Sequence, residues 1–135
     1  MTRLTLKLFT LLATVTFAFG ANAITGDKAE FRKLAEGVYA YVGKRNDANA
    51  MVIVTSQGVV VVDTGNNQPE SRNLMQSIQS VTAQPVRYVV ITQNHGDHIG
   101  GTPLFSPPAH VVVHDKVAKT LAAMKPYQID RKSVV

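Results

Sequence analysis

Two imidazoles and a carboxylate fall within four residues at His95, Asp97 and His98. They lie in the segment Thr92-Gln93-Asn94-His95-Gly96-Asp97-His98-Ile99-Gly100-Gly101. Nitrogen and oxygen donors clustered in this way suit zinc or another borderline divalent cation. Cysteine is absent, which excludes thiolate ligands, cysteine nucleophiles and disulfides. Half of the four histidines of the chain sit in this one segment. The same residues also suit a polar turn with an Asp cap and two exposed histidines. On the metal reading, a bound divalent ion lowers the pKa of a coordinated water and polarises a carbonyl or ester. Asp97 is then the candidate catalytic residue, binding metal and orienting the water. His95 and His98 coordinate as neutral imidazoles, each needing an acceptor for its other ring nitrogen.

The elements that position this cluster can be read from hydropathy patterning. Val38–Val42 alternates and predicts a strand, and 48–55 predicts a second. Ser56-Gln57-Gly58 is a turn. Val59–Val62 is a third strand, apolar throughout, and it runs into Asp63-Thr64-Gly65. Asn66 or Asn67 can cap a helix with Pro69 in its first turn and Leu74, Ile78 and Val81 on one face. Val86–Thr92 is a buried strand that leads directly into the cluster. Loops at the C-terminal ends of such strands are where α/β proteins place their sites. Residues 93–101 are expected to be a loop, with Gly96, Gly100 and Gly101 allowing tight turns. Ala109–Val113 is a further strand, and Asp115 is the expected cap of a helix carrying Val117, Leu121 and Met124, stopped by Pro126. Residues 24–30 read as a polar, frayed entry. The order is an antiparallel meander followed by β-α-β-loop-β-α, a mixed α/β (α+β) sheet covered by helices.

The first 23 residues have the form of a secretory signal peptide. Arg3 and Lys7 are its basic start, Leu8–Gly20 its apolar stretch, and Ala21-Asn22-Ala23 a small-x-small cleavage site. The 13 residues of the apolar stretch are too few for a membrane anchor, which needs roughly 20. The mature chain is expected to be exported, to the periplasm or beyond. Removing Arg3 and Lys7 from the 14 basic residues leaves 12 against 9 acidic ones. The remaining basic residues are scattered, so a nucleic-acid partner is not expected.

At the cluster the sequence resembles the metallo-β-lactamase superfamily, whose signature is H-x-H-x-D-H after an apolar strand. Val89-Val90-Ile91-Thr92 supplies the strand, His95, Asp97 and His98 match the last three positions, and Ile99-Gly100-Gly101 matches the flank. Asp63-Thr64-Gly65 matches the D-T-G that follows an earlier strand in the family. The resemblance implies zinc ligation by His95, Asp97 and His98, with Gln93 standing where the first His belongs. A Gln carbonyl is a neutral and weaker zinc ligand than imidazole. In the family the first two His positions serve one zinc and the Asp and last His a second, each completed by distal residues. The resemblance also implies that Asp63 supports these ligands. The alternative for Asp63 is a plain turn residue.

The resemblance covers nearly all of the expected mature chain but only about the first half of the family's four-layer αββα sandwich. Such a half is expected to expose an apolar sheet face. The ending is read in the same sense. Asp130-Arg131-Lys132-Ser133-Val134-Val135 is what GATCGGAAGAGCGTCGTG encodes, a string that resembles a widely used sequencing adapter. The natural chain is therefore expected to continue past Ile129, and the 135-residue chain to be inactive by itself.

The implied function is an exported zinc-dependent hydrolase acting on an amide, ester or thioester of a small-molecule substrate, a β-lactam among the candidates. The alternative is a non-catalytic exported protein that binds metal or a partner through the same loop. Two further patterns are set aside. His110 and His114, four apart in an expected strand, are separated by about 13 Å, too far to chelate one ion. Asp63-Thr64-Gly65 also resembles the aspartic protease motif, but that leaves the His95–His98 cluster without a role. Phe31, Tyr39, Tyr41 and Phe105 read as core or sheet-face residues.

Overall fold

The computed structural model describes residues 28–44 and 47–124. The expected leader at 1–23 and the tail at 130–135 lie outside the described residues. Six strands form one sheet in the order β1-β2-β3-β4-β5-β6. They are β1 (Glu30–Ala35), β2 (Val38–Val42), β3 (Ala50–Thr55), β4 (Gly58–Val62), β5 (Val86–Ile91) and β6 (His110–Val113). The first four are an antiparallel meander, and β4, β5 and β6 run parallel. Helix α1 (Gln68–Gln79) joins β4 to β5. The single turns α2 (Gly96–Ile99) and α3 (Thr102–Phe105) lie between β5 and β6, and α4 (Asp115–Ala123) follows β6. This is the mixed sheet expected from the pattern.

Register explains which face is covered. Tyr39, Val52, Val61 and Val89 are aligned across β2 to β5. Their row and its neighbours Tyr41, Ala50, Val59 and Ile91 meet Leu74 and Ile78 of α1 and Phe105 of α3 in one core. Val52, Val59, Val61 and Val89 are fully buried, and burial of a Val-sized side chain contributes roughly 1.5–3 kcal/mol. The opposite row, Ala40–Met51–Val62–Val90–Val112, contributes nothing to that core. Met51 and Val112 are exposed, as is Tyr88 on the same face. The expected open apolar face is therefore present among the described residues, and all the described helices that join the core lie on the other side.

Three differences from the sequence reading have physical causes. Glu30 opens β1, where a frayed entry was expected. Only Phe31 and Glu30 of this edge strand are even partly buried, so its burial pattern is too weak to signal a strand. Phe31 stacks on Tyr39 of β2, with ring centroids 5.0 Å apart. Residues 93–101 are not an open loop, because 96–99 close one helical turn with Gly100 N–H donating to the Gly96 carbonyl. The cap of α4 is His114 and not Asp115: the His114 ring nitrogen accepts from the Lys116 N–H at 3.2 Å. Helix α1 begins as expected, for Asn67 caps it by accepting from the Glu70 N–H at 2.9 Å, but it ends at Gln79, so Val81 lies beyond its last turn and is exposed while Leu74 and Ile78 are buried.

The two faces predict opposite responses to truncation. Val61→Ala is expected to cost about 1–3 kcal/mol in urea denaturation, through lost burial and a cavity. Met51→Ala, on the open face, is expected to cost under about 0.5 kcal/mol.

Candidate metal centre

The site forms where β4 and β5 end side by side. Asp63 follows β4 directly, and its N–H donates to the Val90 carbonyl at 2.8 Å, extending the parallel pairing. Its backbone has φ of 60°, a left-handed conformation that Asp tolerates better than most residues. The Asp63 carboxylate is buried and both its oxygens are engaged. Oδ1 accepts from the Thr92 N–H at 2.9 Å, and Oδ2 accepts from the Thr92 hydroxyl at 2.7 Å. Oδ2 also lies 2.7 Å from His98 Nδ1.

That last contact fixes the imidazole. An ionised carboxylate only accepts, so the partners assign the proton to His98 Nδ1 and leave a lone pair on Nε2. Nε2 faces Asp97 Oδ2 at 3.2 Å and is also approached by the Gln93 side-chain amide. A neutral Nε2 lone pair and a carboxylate oxygen repel one another unless a proton or a metal cation stands between them. Two donors bound to one tetrahedral zinc at about 2.1 Å each lie ~3.4 Å apart. The donor chemistry and spacing of Asp97 and His98 therefore fit a divalent cation.

His95 is placed differently. It is the N-cap residue of α2, its carbonyl accepts from the His98 and Ile99 N–H groups, and its side chain is exposed. The structure thus groups Gln93, Asp97 and His98, with Asp63 behind them. Among the described residues no set of three or more His, Asp or Glu side chains converges on one point. A catalytic zinc takes about three protein donors and an open position, so these residues supply part of such a site. His110, at the start of β6, packs its ring near Tyr88 with centroids 5.8 Å apart, and His114 caps α4. Neither reaches the cluster.

The turn after β4 and the segment after α2 are pressed together. Thr64 N–H donates to the His98 carbonyl at 2.9 Å, and the Thr64 hydroxyl reaches the same oxygen at 3.1 Å. A Cβ on Gly100 would lie 2.1 Å from the Asn66 carbonyl oxygen, and one on Gly101 would lie 1.8 Å from Ser71 Oγ. Both glycines have ordinary negative φ. They are needed for close approach and not, as expected from sequence, for tight turning.

Glu70 and Thr92 bond to the turn and to the Asp63 carboxylate, and the sequence alone assigned neither a role at the site. Glu70 is 3% exposed, and its Oε2 accepts from the Asn66 N–H at 2.8 Å. Its signal was present, since Asn67 and Glu70 have capping-box spacing. Burial pushes the Glu70 carboxyl up to about 7, with the charges of Asp47 and Asp97 adding to the rise. Its Oε1 is buried without a hydrogen bond, and Ala48 N–H lies near enough to temper the charge without closing one. Burial first, and then Glu70, pushes the Tyr41 phenol up to about 12.

Residues 43–131 match the family model of the metallo-beta-lactamase superfamily. The chain belongs to the metallo-beta-lactamase superfamily. It is 31% identical over 94 residues to a metallo-beta-lactamase type 2 of Elizabethkingia meningoseptica, covering 64% of this chain and 38% of that protein. A metallo-beta-lactamase of Pontibacter korlensis shares the fold at a TM-score of 0.64 and 24% identity, over 70% of this chain and 47% of its own. The metallo-beta-lactamase FIM-1 of Pseudomonas aeruginosa, solved in a mono-zinc form, does so at 0.59 and 15%, over 73% and 47%. The chain thus spans less than half the length of each of these superfamily members.

Two outcomes test this geometry. Asn tolerates the backbone of Asp63 but carries no charge, so Asp63→Asn is expected to fold and to weaken zinc binding about 10–100-fold in a chelator competition titration. Glu70 makes stability depend on pH. Its carboxyl ionises near 4.5 when unfolded and near 7 when folded, so the folded state holds the extra proton between those values. Stability due to this group is full below pH 4.5, falls as pH rises to 7, and is flat above, a loss of up to about 3 kcal/mol. Urea denaturation of wild type against Glu70→Gln at pH 5 and pH 8 measures it.

Proposed function

We propose that the chain forms the first half of the catalytic domain of an exported, zinc-dependent hydrolase of small molecules. The substrate bond is an amide, ester or thioester, and a β-lactam is one candidate. The observation that carries this reading is the line from Asp63 to His98 to Asp97, a buried carboxylate that aims an imidazole lone pair at a second carboxylate. A relative of the same fold solved with one zinc ion supports the choice of metal.

Asp97 and His98 would hold the metal, with Gln93 and His95 as the further candidate donors from this chain. When bound, zinc supplies a Lewis acid and brings the pKa of water toward neutrality. This chain's own residues do the positioning. Asp63 keeps the proton on His98 Nδ1, which turns Nε2 toward Asp97 and the Gln93 amide. Asp97, half exposed at its side chain, is the residue placed to orient a water and accept its proton. Thr92 locks Asp63 from two sides, which keeps the imidazole from rotating away. Gln93 offers an amide where an imidazole would bind zinc more strongly, so it sets a weaker metal position. Residues 1–23 would direct export to the periplasm or the medium. No described helix is long and apolar enough to cross a membrane.

The test uses the gene product, sequenced through and beyond codon 129, loaded with zinc. Turnover of a chromogenic cephalosporin, a nitrophenyl ester or a thioester that a chelator abolishes and zinc restores is the expected result. Zinc binding with no turnover of any of the three overturns the hydrolase and leaves the exported binding protein. Gln93→His is expected to tighten zinc binding by about 10-fold or more, read by competition titration.

A further inference from the structure

Glu70 is the one buried carboxyl near the site that the proposed chemistry does not use. It occupies the first turn of α1, and the chain folds over it. Its Oε2 accepts from the Asn66 N–H at 2.8 Å, and a Cβ on Gly65 would lie 3.1 Å from that oxygen. The turn closed down in this way is the one that carries Asp63 at its start. The carbonyl of Asn66 abuts Gly100, immediately after α2. Ser71, the next residue, donates to the Thr64 and Asn67 carbonyls and fills the space beside Gly101. Thr64 in turn is bonded to the His98 carbonyl. Glu70 is therefore linked to the candidate centre through the Gly65–Asn66 backbone and through Ser71 and Thr64, all held at contact distance.

We propose that Glu70 is a positioning residue of the metal centre. Its buried carboxyl sets the shape of the Asp63–Asn67 turn, and through that turn it sets both the Asp63 contact to His98 and the placement of Gly100 beside α2. The inference rests on the reading of Asp97 and His98 as metal ligands. The groups that face Glu70 are Tyr41 from β2, Asp47 from the β2–β3 connection and Asp97 from α2. All are neutral or acidic. The unpartnered Oε1 suits a protonated carboxyl. Ionisation places a further negative charge beside the Asp47 and Asp97 carboxylates and strengthens the bond from the Asn66 N–H, so the turn carries both effects.

The test compares wild type, Glu70→Gln and Glu70→Ala. Gln keeps an oxygen for the Asn66 N–H and cannot ionise. The first readout needs no metal: backbone amide positions of Gly65, Asn66 and Gly100 by NMR between pH 5 and pH 9. In wild type the three are expected to move together through a step near neutrality, and in Glu70→Gln the step is expected to vanish at Gly65 and Asn66. The second readout is zinc affinity. Glu70→Gln is expected to bind within about 3-fold of wild type and Glu70→Ala at least about 10-fold more weakly. A step that persists unchanged in Glu70→Gln overturns the proposal, as does a folded Glu70→Ala that binds zinc like wild type. If Glu70→Ala does not fold, the amide titration of Glu70→Gln decides. If wild type itself binds no zinc, the hydrolase reading fails, while the coupling of Glu70 to the turn is still read by the amides.

Discussion

The contact between Asp63 and His98 is the constraint on which the rest of the structure depends. A carboxylate that leaves one strand meets an imidazole that follows the next, and neither position is available unless β4 and β5 run parallel and end at the same level. The Asp63 N–H bonded to Val90 sets that level. Parallel neighbours in turn require a crossover, and α1 supplies it, with Leu74 and Ile78 buried against the sheet. The valines of β4 and β5 hold the two strands together over their length. The fold below the site is thus a device for bringing the ends of two strands into register.

Polar satisfaction is shared out with little surplus. Asp63 is buried but takes hydrogen bonds at both oxygens, which makes its charge tolerable. Glu70 is buried as deeply and takes one hydrogen bond at one oxygen, which makes its charge costly. Two buried carboxylates a few residues apart are thus satisfied to different degrees, by the number of N–H and O–H groups aimed at each.

Much of this was legible in the sequence, for particular reasons. Strand β2 announces itself through alternation, β3 to β6 through runs of β-branched residues, and α1 through Asn67, Pro69 and the spacing of Leu74 and Ile78. The grouping of Gln93, Asp97 and His98 follows from their closeness along the chain. Asp63 is 35 residues from His98, and only the resemblance to a family brought them together on the page. What stayed hidden depends on neighbours that no local pattern reports. Edge strand β1 buries too little to show a period. The turn α2 is too short to have one. His114 caps α4 with a ring nitrogen, a role that its residue type rarely signals. The glycines at 100 and 101 were visible, but their reason was not, because the atoms that exclude a side chain there belong to residues about thirty positions earlier.

Those two glycines have a wider consequence. The seam is closed by backbone and by the short side chains of Thr64 and Ser71, which leaves no room for a side chain at either glycine. The Asp63 turn and the His98 turn must therefore move, if they move at all, as one piece. The shape of the candidate centre is thus set by two residues that offer it no donor atom of their own.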